Sequence, residues 1–214
     1  GWYRPVHRKS VSSQEIRALL TARKSLQQAI INIELSMRGV LRNFGLKLGH
    51  VTRIRYDDRV RELVAENKIL SASASTLLRA REQLRAELAA LDTMITGLAK
   101  HDDVCRLMTT MPGVGPIVAL TVRSAIDDPT RFARSKDVGP WAGLTPRRTQ
   151  SGEMDIVGQI TKTGDRGLRT ALYQAAMILM HRGAPNWLQA WGRRVAHRRG
   201  SKRALIALAR RIGV

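Results

Sequence analysis

The chain has 214 residues, with 37 Lys and Arg against 17 Asp and Glu, giving a formal net charge of +20. A hydrophobic fraction of 43% excludes a disordered basic tail, and a single cysteine, Cys105, excludes a disulfide framework or a CxxC-type zinc site. No apolar run approaches the roughly 18 residues of a transmembrane helix. The length allows one or two domains with a real core.

The charge points to a polyanionic partner. Twenty-nine of the 37 bases are Arg, whose planar fork grips phosphate oxygens in pairs. Residues 1–50 carry +7, residues 51–112 carry +1 and residues 113–214 carry +12. The last acid is Asp165, and the 49 residues after it hold eleven bases and no carboxylate. Aromatic residues are only 4%, which favours contact with a nucleic-acid backbone over stacking on single-stranded bases. The chain opens on Gly1 without a signal peptide, and reads as a fragment or processed product of a soluble cytoplasmic protein.

Residues 1–11 form a basic, extended lead broken by Pro5. Ser12-Ser13-Gln14-Glu15 has the spacing of a capping box, and apolar residues from Ile16 to Phe44 recur at three and four to predict an amphipathic helix over 12–44. Leu63, Leu70, Leu77, Leu84, Leu91 and Leu98 are spaced by seven, while the companion seam Asn67, Ala74, Arg81, Leu88, Ile95 is imperfect. These heptads predict one helix over 57–103, opened by Asp57 and Asp58. So long a helix with a single apolar stripe must pair, either with 12–44 as an antiparallel hairpin or also with the same helix of a second subunit.

Beyond the arm, Met111-Pro112-Gly113-Val114-Gly115-Pro116 is a tight turn before the apolar run 117–122. Asp127 and Asp128, before Pro129, read as caps. Residues 145–164, rich in Gly, Thr and Ser, predict a loop or short hairpin. Asp165 can cap a helix with Leu168, Leu172, Ala175 and Leu179 on one face. Two more helices are expected around 185–198 and 201–212, with Trp187 and Trp191 read as core or interface. The fold class is mainly α: a long helical hairpin or coiled-coil arm, then a small helical domain with a helix-hairpin-helix motif and a short loop or hairpin insert. The expected segments are 1–11, 12–105 and 106–214.

Two motifs can carry chemistry. The backbone of Gly113, Val114 and Gly115 suits a helix-hairpin-helix turn whose amides meet a phosphate, against the plainer reading of a Gly-Pro turn between packed helices. The second is Ser151-Gly152, with Arg147, Arg148, Lys162, Arg166 and Arg169 close in sequence. An arginine cluster offsets charge building on a phosphorus under attack. Most Ser-Gly pairs are simply turns, no histidine base lies nearby, and the basic residues alone read as DNA backbone contacts. His101, Asp102, Asp103 and Cys105 fit no standard zinc spacing, and Glu153 with Asp155 is too few acids for a two-metal site.

The blocks GWYRPVH, RALLTARKSL, RGVLRNFGLKLG, MPGVGPIVAL, WAGLTP, SG with GQITKTGDRGLR, and WGRRVAHRRGSKRALIALAR occur in order over essentially the whole chain. Together they resemble the serine-type transposases of the IS-one-ten insertion-sequence group, recombinases guided by a bridge RNA. The resemblance implies an N-terminal RuvC-like domain with four acids (DEDD) holding Mg²⁺, a coiled-coil arm, and a C-terminal domain whose serine attacks the DNA phosphodiester. By motif that serine is Ser151, with Arg147, Lys162 and Arg169 as backbone contacts. The metal ligands are expected to be missing here, leaving no cofactor in this chain and a fragment inactive alone. Expected partners are DNA, a guide RNA and a second copy through the arm, in the bacterial cytoplasm at the nucleoid and away from membranes. The competing readings are a non-catalytic helix-hairpin-helix DNA-binding protein and an interaction protein working through its arm.

Overall fold

The computed structural model of the chain describes residues 6–182 and 185–213. Residues 1–5 of the basic lead fall outside this range. Among the described residues there are nine α-helices: α1 Val11–Asn43, α2 Tyr56–Val64, α3 Lys68–His101, α4 Asp103–Thr109, α5 Pro116–Ile126, α6 Val138–Trp141, α7 Arg166–Arg182, α8 Trp187–Arg199 and α9 Ser201–Ile212. One antiparallel hairpin joins β1, Pro146–Ser151, to β2, Met154–Ile160. The fold is mainly α, as the periodicity predicts.

The chain divides into two compact units. The arm is Thr21–Met94, and the main unit combines residues up to Leu20 with residues from Ile95 onward. These differ from the expected segments 1–11, 12–105 and 106–214 because the division falls inside α1 and α3. The ends of those helices carry Ile16, Leu19, Leu20, Ile95 and Ala99 into the main core.

Within the arm, α1 and α3 run in opposite directions. Arg23 Nε donates to Asp92 Oδ1 at 2.5 Å, and Arg81 Nε to Glu34 Oε1 at 2.8 Å. The single helix expected over 57–103 is in fact two, α2 and α3, and a second break at its end separates α3 from α4. The first break is at 65–67, where Asn67 Oδ1 accepts from the Leu70 amide at 3.0 Å and starts a new helix. The second is Asp102, in extended conformation, whose carboxylate accepts from the Cys105 amide at 2.8 Å. Short polar side chains that bond their own backbone compete with helix continuation. An apolar heptad count does not register that competition.

The leucine stripe also rotates out of the seam. Leu70 is 4% exposed, but Leu98 is 43% exposed and Ala99 takes the buried position at 3%. A straight helix drifts about 20° per heptad against a strict seven-residue repeat, and four heptads carry Leu98 out of contact. The imperfect companion seam is the deeper one. Ala74, Ile95 and Arg81 are all buried, with Arg81 at 1% exposure. Its Nη1 donates to Asp57 Oδ1 at 2.7 Å, and its guanidinium carbon lies 4.4 Å from the centre of the Tyr56 ring. Paired this way, a cation can occupy a core position.

In the main unit, α7 is the central element. Leu168, Leu172, Ala175 and Leu179 are at most 1% exposed, and Asp165 caps the helix through the Leu168 amide at 3.0 Å. Burial raises the Asp165 pKa, but the Leu168 amide and the Arg17 guanidinium outweigh it and hold the group below its ordinary value. Arg17 donates to Asp165 at 2.6 Å. The core is rich in alanine, including Ala119, Ala125, Ala142, Ala175, Ala176, Ala204 and Ala209, which lets helix backbones approach closely. Cys105 is fully buried here as a packing residue, and burial, with help from Asp102, pushes its thiol up to about 12. Trp191 packs at the core edge, whereas Trp187 is 67% exposed and is no core residue.

The start of α1 differs from the expected capping box. The cap is Ser10, whose hydroxyl accepts from the Ser13 amide at 3.2 Å, and Glu15 is exposed. The cause is distant in sequence. Asp127 accepts from the hydroxyls of Ser10 and Ser13 at 2.6 Å each, from the Ser10 amide at 2.9 Å, and pairs with His7 at 2.9 Å. Lys9 donates to the Ser124 carbonyl at 3.0 Å and also to that of Ala125, occupying the carbonyl end of α5. Burial lowers the Lys9 pKa. Asp128 behaves as expected, accepting from the Thr130 amide at 2.9 Å.

The hydroxyl bonds from Ser10 and Ser13, with the Ser10 amide, hold the Asp127 carboxyl well below the usual carboxylate range. Its folded pKa is therefore depressed relative to the unfolded value of about 3.9. The stabilising contribution is complete above that value and is lost as pH falls through the folded one. The protection factors of the Ser13 and Gln14 amides against hydrogen exchange should be unchanged from neutrality down to about pH 4 and fall only below it. Asp127→Ala should expose these amides at every pH while leaving α7 protected.

Candidate nucleic-acid interface and serine site

Ser151 is the last residue of β1, paired with Met154 across the Gly152-Glu153 turn. It is exposed, and among the described residues its hydroxyl has no hydrogen-bond partner. Strand alternation places Ser151 and Thr149 on one face with their cross-strand partners Met154 and Ile156. Arg148, Gln150, Asp155 and Val157 occupy the other.

The serine face leads into a groove of about 420 Å³ whose lining includes Arg147, Thr149, Ile156, Thr161 and Lys162. Arg147 sits at a bulge between Pro146 and Arg148, which turns the pleat at the base of the hairpin. Arg147 and Lys162 are exposed cations. Arg148 is committed elsewhere: its guanidinium grips Asp155 through two bonds of 2.7 and 2.6 Å on the opposite face. That pairing raises the Arg148 pKa and lowers the Asp155 pKa. Thr149 and Thr161 are residues that sequence reasoning passed over. The signal that finds Thr149 is period-two alternation back from Ser151, whereas Thr161 lies just past β2, where no such alternation reaches it.

The hairpin's base is anchored by two crossing turns. The Lys162 amide donates to Gly143 O at 3.2 Å and the Thr161 amide to Thr145 O at 2.9 Å. Arg169 Nη1 donates to the carbonyls of Ala142, Thr163 and Gly164 at 3.1, 2.6 and 3.1 Å. Arg169 thus clamps the turn that carries Lys162, whose φ is +57°. Arg166 is exposed at the first residue of α7.

The glycine turn lies between α4 and α5. A Cβ on Gly113 would stand 2.5 Å from the Ala175 carbonyl oxygen and 3.1 Å from the Leu179 amide, so this residue packs on α7. Val114 is 6% exposed. Gly115 alone of the three faces open space, as the N-cap of α5 with Pro116 in the first turn.

Among the described residues, no three His, Cys, Asp or Glu side chains converge as a metal-binding set. No helix among them is long and apolar enough to cross a membrane.

Residues 105–191, from α4 into α8 and including the hairpin, match the transposase IS116/IS110/IS902 family. The chain is 28% identical over 95% of its length to the transposase for insertion sequence element IS1111A of Coxiella burnetii, covering 58% of that protein. It is 28% identical over 97% of its length to a probable family 20 transposase of Pseudomonas aeruginosa, covering 63% of it. Over half of the chain it is 30% identical to a pilin gene-inverting protein of Moraxella bovis, covering 33% of that protein. The chain thus spans less than two thirds of the length of these relatives. Its segment 105–191, which carries Ser151 at the tip of an exposed hairpin, is thus similar to the transposase IS116/IS110/IS902 family.

Proposed function

We propose that the chain supplies the arm and the serine-bearing part of a DNA transposase. The observation that carries this reading is the hairpin: Ser151 shares a strand face with a groove bordered by the cations of Arg147 and Lys162. In the proposed step, Ser151 Oγ attacks a DNA phosphorus. A phosphorus–oxygen bond to serine forms, the bond to a sugar oxygen breaks, and that oxygen takes up the proton given up by the serine. A DNA hydroxyl then attacks the phosphoserine and restores the serine. One phosphodiester replaces another, so no oxidant or net hydrolysis is needed. Arg147 and Lys162 offset the charge that grows on the phosphoryl oxygens, and Arg166 holds the flanking backbone.

Mg²⁺ would supply a Lewis acid for the phosphoryl group, but the acids of the described residues do not gather to hold it. The resemblance supports a guide RNA and self-association through the arm as further partners. A non-catalytic DNA-binding role draws on Gly115, the N-cap of α5, which faces open space, but that role leaves the serine face unexplained.

The test is covalent capture. The complete gene product, incubated with labelled target DNA and denatured, should carry a protein–DNA adduct. Ser151→Ala should reduce the adduct to background while retaining DNA binding within about twofold. An adduct that survives this change removes Ser151 from the chemistry.

A further inference from the structure

Two tryptophans on α8 hold one arginine of α9. The Arg211 guanidinium carbon lies 5.1 Å from the centre of the Trp187 ring and 4.8 Å from that of Trp191. Trp187 is 67% exposed, so its ring is kept at the surface. Among the described residues Arg211 has no hydrogen-bond or ion-pair partner, and no carboxylate follows Asp165 in the sequence. Its guanidinium is therefore held against the two rings while its N–H donors remain unspent. Stacking fixes the plane of a guanidinium without consuming the fork that recognises phosphate.

The tryptophan stripe continues as a basic one. Trp187, Trp191, Arg194 and Arg198 recur at helical spacing along one side of α8, and Arg194 and Arg198 are exposed. On α9, Arg203 lies two turns before Arg211 and is exposed as well. Arg203 stands in the first turn of α9, where the helix dipole disfavours a cation. Its placement there is thus not explained by helix stability. From residue 187 to residue 198 the stripe extends about 16 Å along α8, enough to meet several phosphates of one duplex.

We propose that the α8–α9 face is a second docking surface for the sugar-phosphate backbone of duplex DNA, with Arg211 as its pre-positioned contact. Both ring faces nearest to Arg211 are engaged by it, which leaves them poor platforms for unpaired bases and favours backbone contact. The surface is separate from the serine groove, and the proposal rests on the transposase reading only in taking DNA as the partner.

The experiment measures binding of the full chain in a Ser151→Ala background to a 30-base-pair duplex over a salt series. Arg211→Ala should weaken binding about 5- to 10-fold and flatten the salt slope by about one. Trp187→Ala should weaken binding about threefold with the slope unchanged, because the charge remains but its position is lost. Arg194→Ala with Arg198→Ala provides a check that does not touch the stacked residues, and should flatten the slope by about two. Unchanged affinity in these variants overturns the proposal. So does an equal loss from Arg79→Ala on the arm, which would mean that only total charge matters. A loss confined to single-stranded DNA or to duplex RNA also overturns it. Loss of the covalent adduct in the Ser151→Ala protein with normal binding by Arg211→Ala refutes this surface alone. Weakened binding by Arg211→Ala with no adduct from the unsubstituted protein refutes the serine chemistry alone.

Discussion

Arg81→Ala is expected to destabilise the arm by about 3 kcal/mol, the lower end for breaking a buried ion pair. The lower end applies because Glu34 and Asp57 keep 32% and 25% of their side chains exposed and can rehydrate. Arg81 itself cannot be replaced by water without opening the seam between α1 and α3. The described tryptophans, Trp141, Trp187 and Trp191, all lie in the main unit. Chemical unfolding should therefore show an early loss of far-UV helical signal while tryptophan fluorescence keeps its original midpoint. The triple variant Arg81→Met, Glu34→Gln, Asp57→Asn should recover most of the loss, since an apolar side chain of similar length replaces the pair without leaving a charge behind. Coincident shifts of both signals in Arg81→Ala would show that the cluster supports more than the arm.

Gly143→Ala should be at least as costly, about 3 kcal/mol or more, and should act on the serine site from a distance. Gly143 has a φ of +70°, which costs an alanine roughly 1–2 kcal/mol. Its Cβ would also collide with the Thr163 carbonyl oxygen and stand 2.6 Å from the Thr163 amide nitrogen. Gly164, at φ +78°, presses in the same way on the Trp141 carbonyl. The two turns interlock through glycine because no side chain fits where they cross. Overpacking at such a backbone contact adds about 1–3 kcal/mol. The β1–β2 hairpin has nothing packed as a full layer on either face, and a lone two-stranded hairpin is marginal in water. Its orientation therefore depends on this crossing and on the Arg169 clamp. Gly143→Ala is expected to lose the covalent adduct although Ser151 is intact, and amide exchange at 147–160 should quicken at once. Arg169→Ala should show a weaker form of the same defect.

Much of this was legible from pattern alone. The α7 face, the Asp165 cap, the Gly200 break between α8 and α9, and a short hairpin around Ser151 all follow from local chemistry, and local chemistry is what a sequence displays. Apart from the local cap at Asn67 and the drift of the leucine stripe, the failures share one cause, a side chain answering to a distant partner. Ser10 and Ser13 take their roles from Asp127. Arg81 reads as a flaw in a heptad until Glu34 and Asp57 are placed beside it. Arg169, grouped with the DNA contacts by proximity in sequence, spends three bonds on backbone carbonyls. At the serine site the residue types were visible, but the division of labour was not. Only pairing register shows that Arg148 faces away from Ser151 while Arg147 borders its groove.

The attachment of the first helix to Asp127 also sets a schedule. Ser13 precedes its carboxylate partner by 114 residues. At about 5–20 residues per second, a ribosome leaves that end of α1 without its anchor for on the order of ten seconds. The arm, Thr21–Met94, is contiguous and carries its own core, so it can complete during that interval. The main unit closes later, once the start of α1 can meet α5 and the helices that follow it.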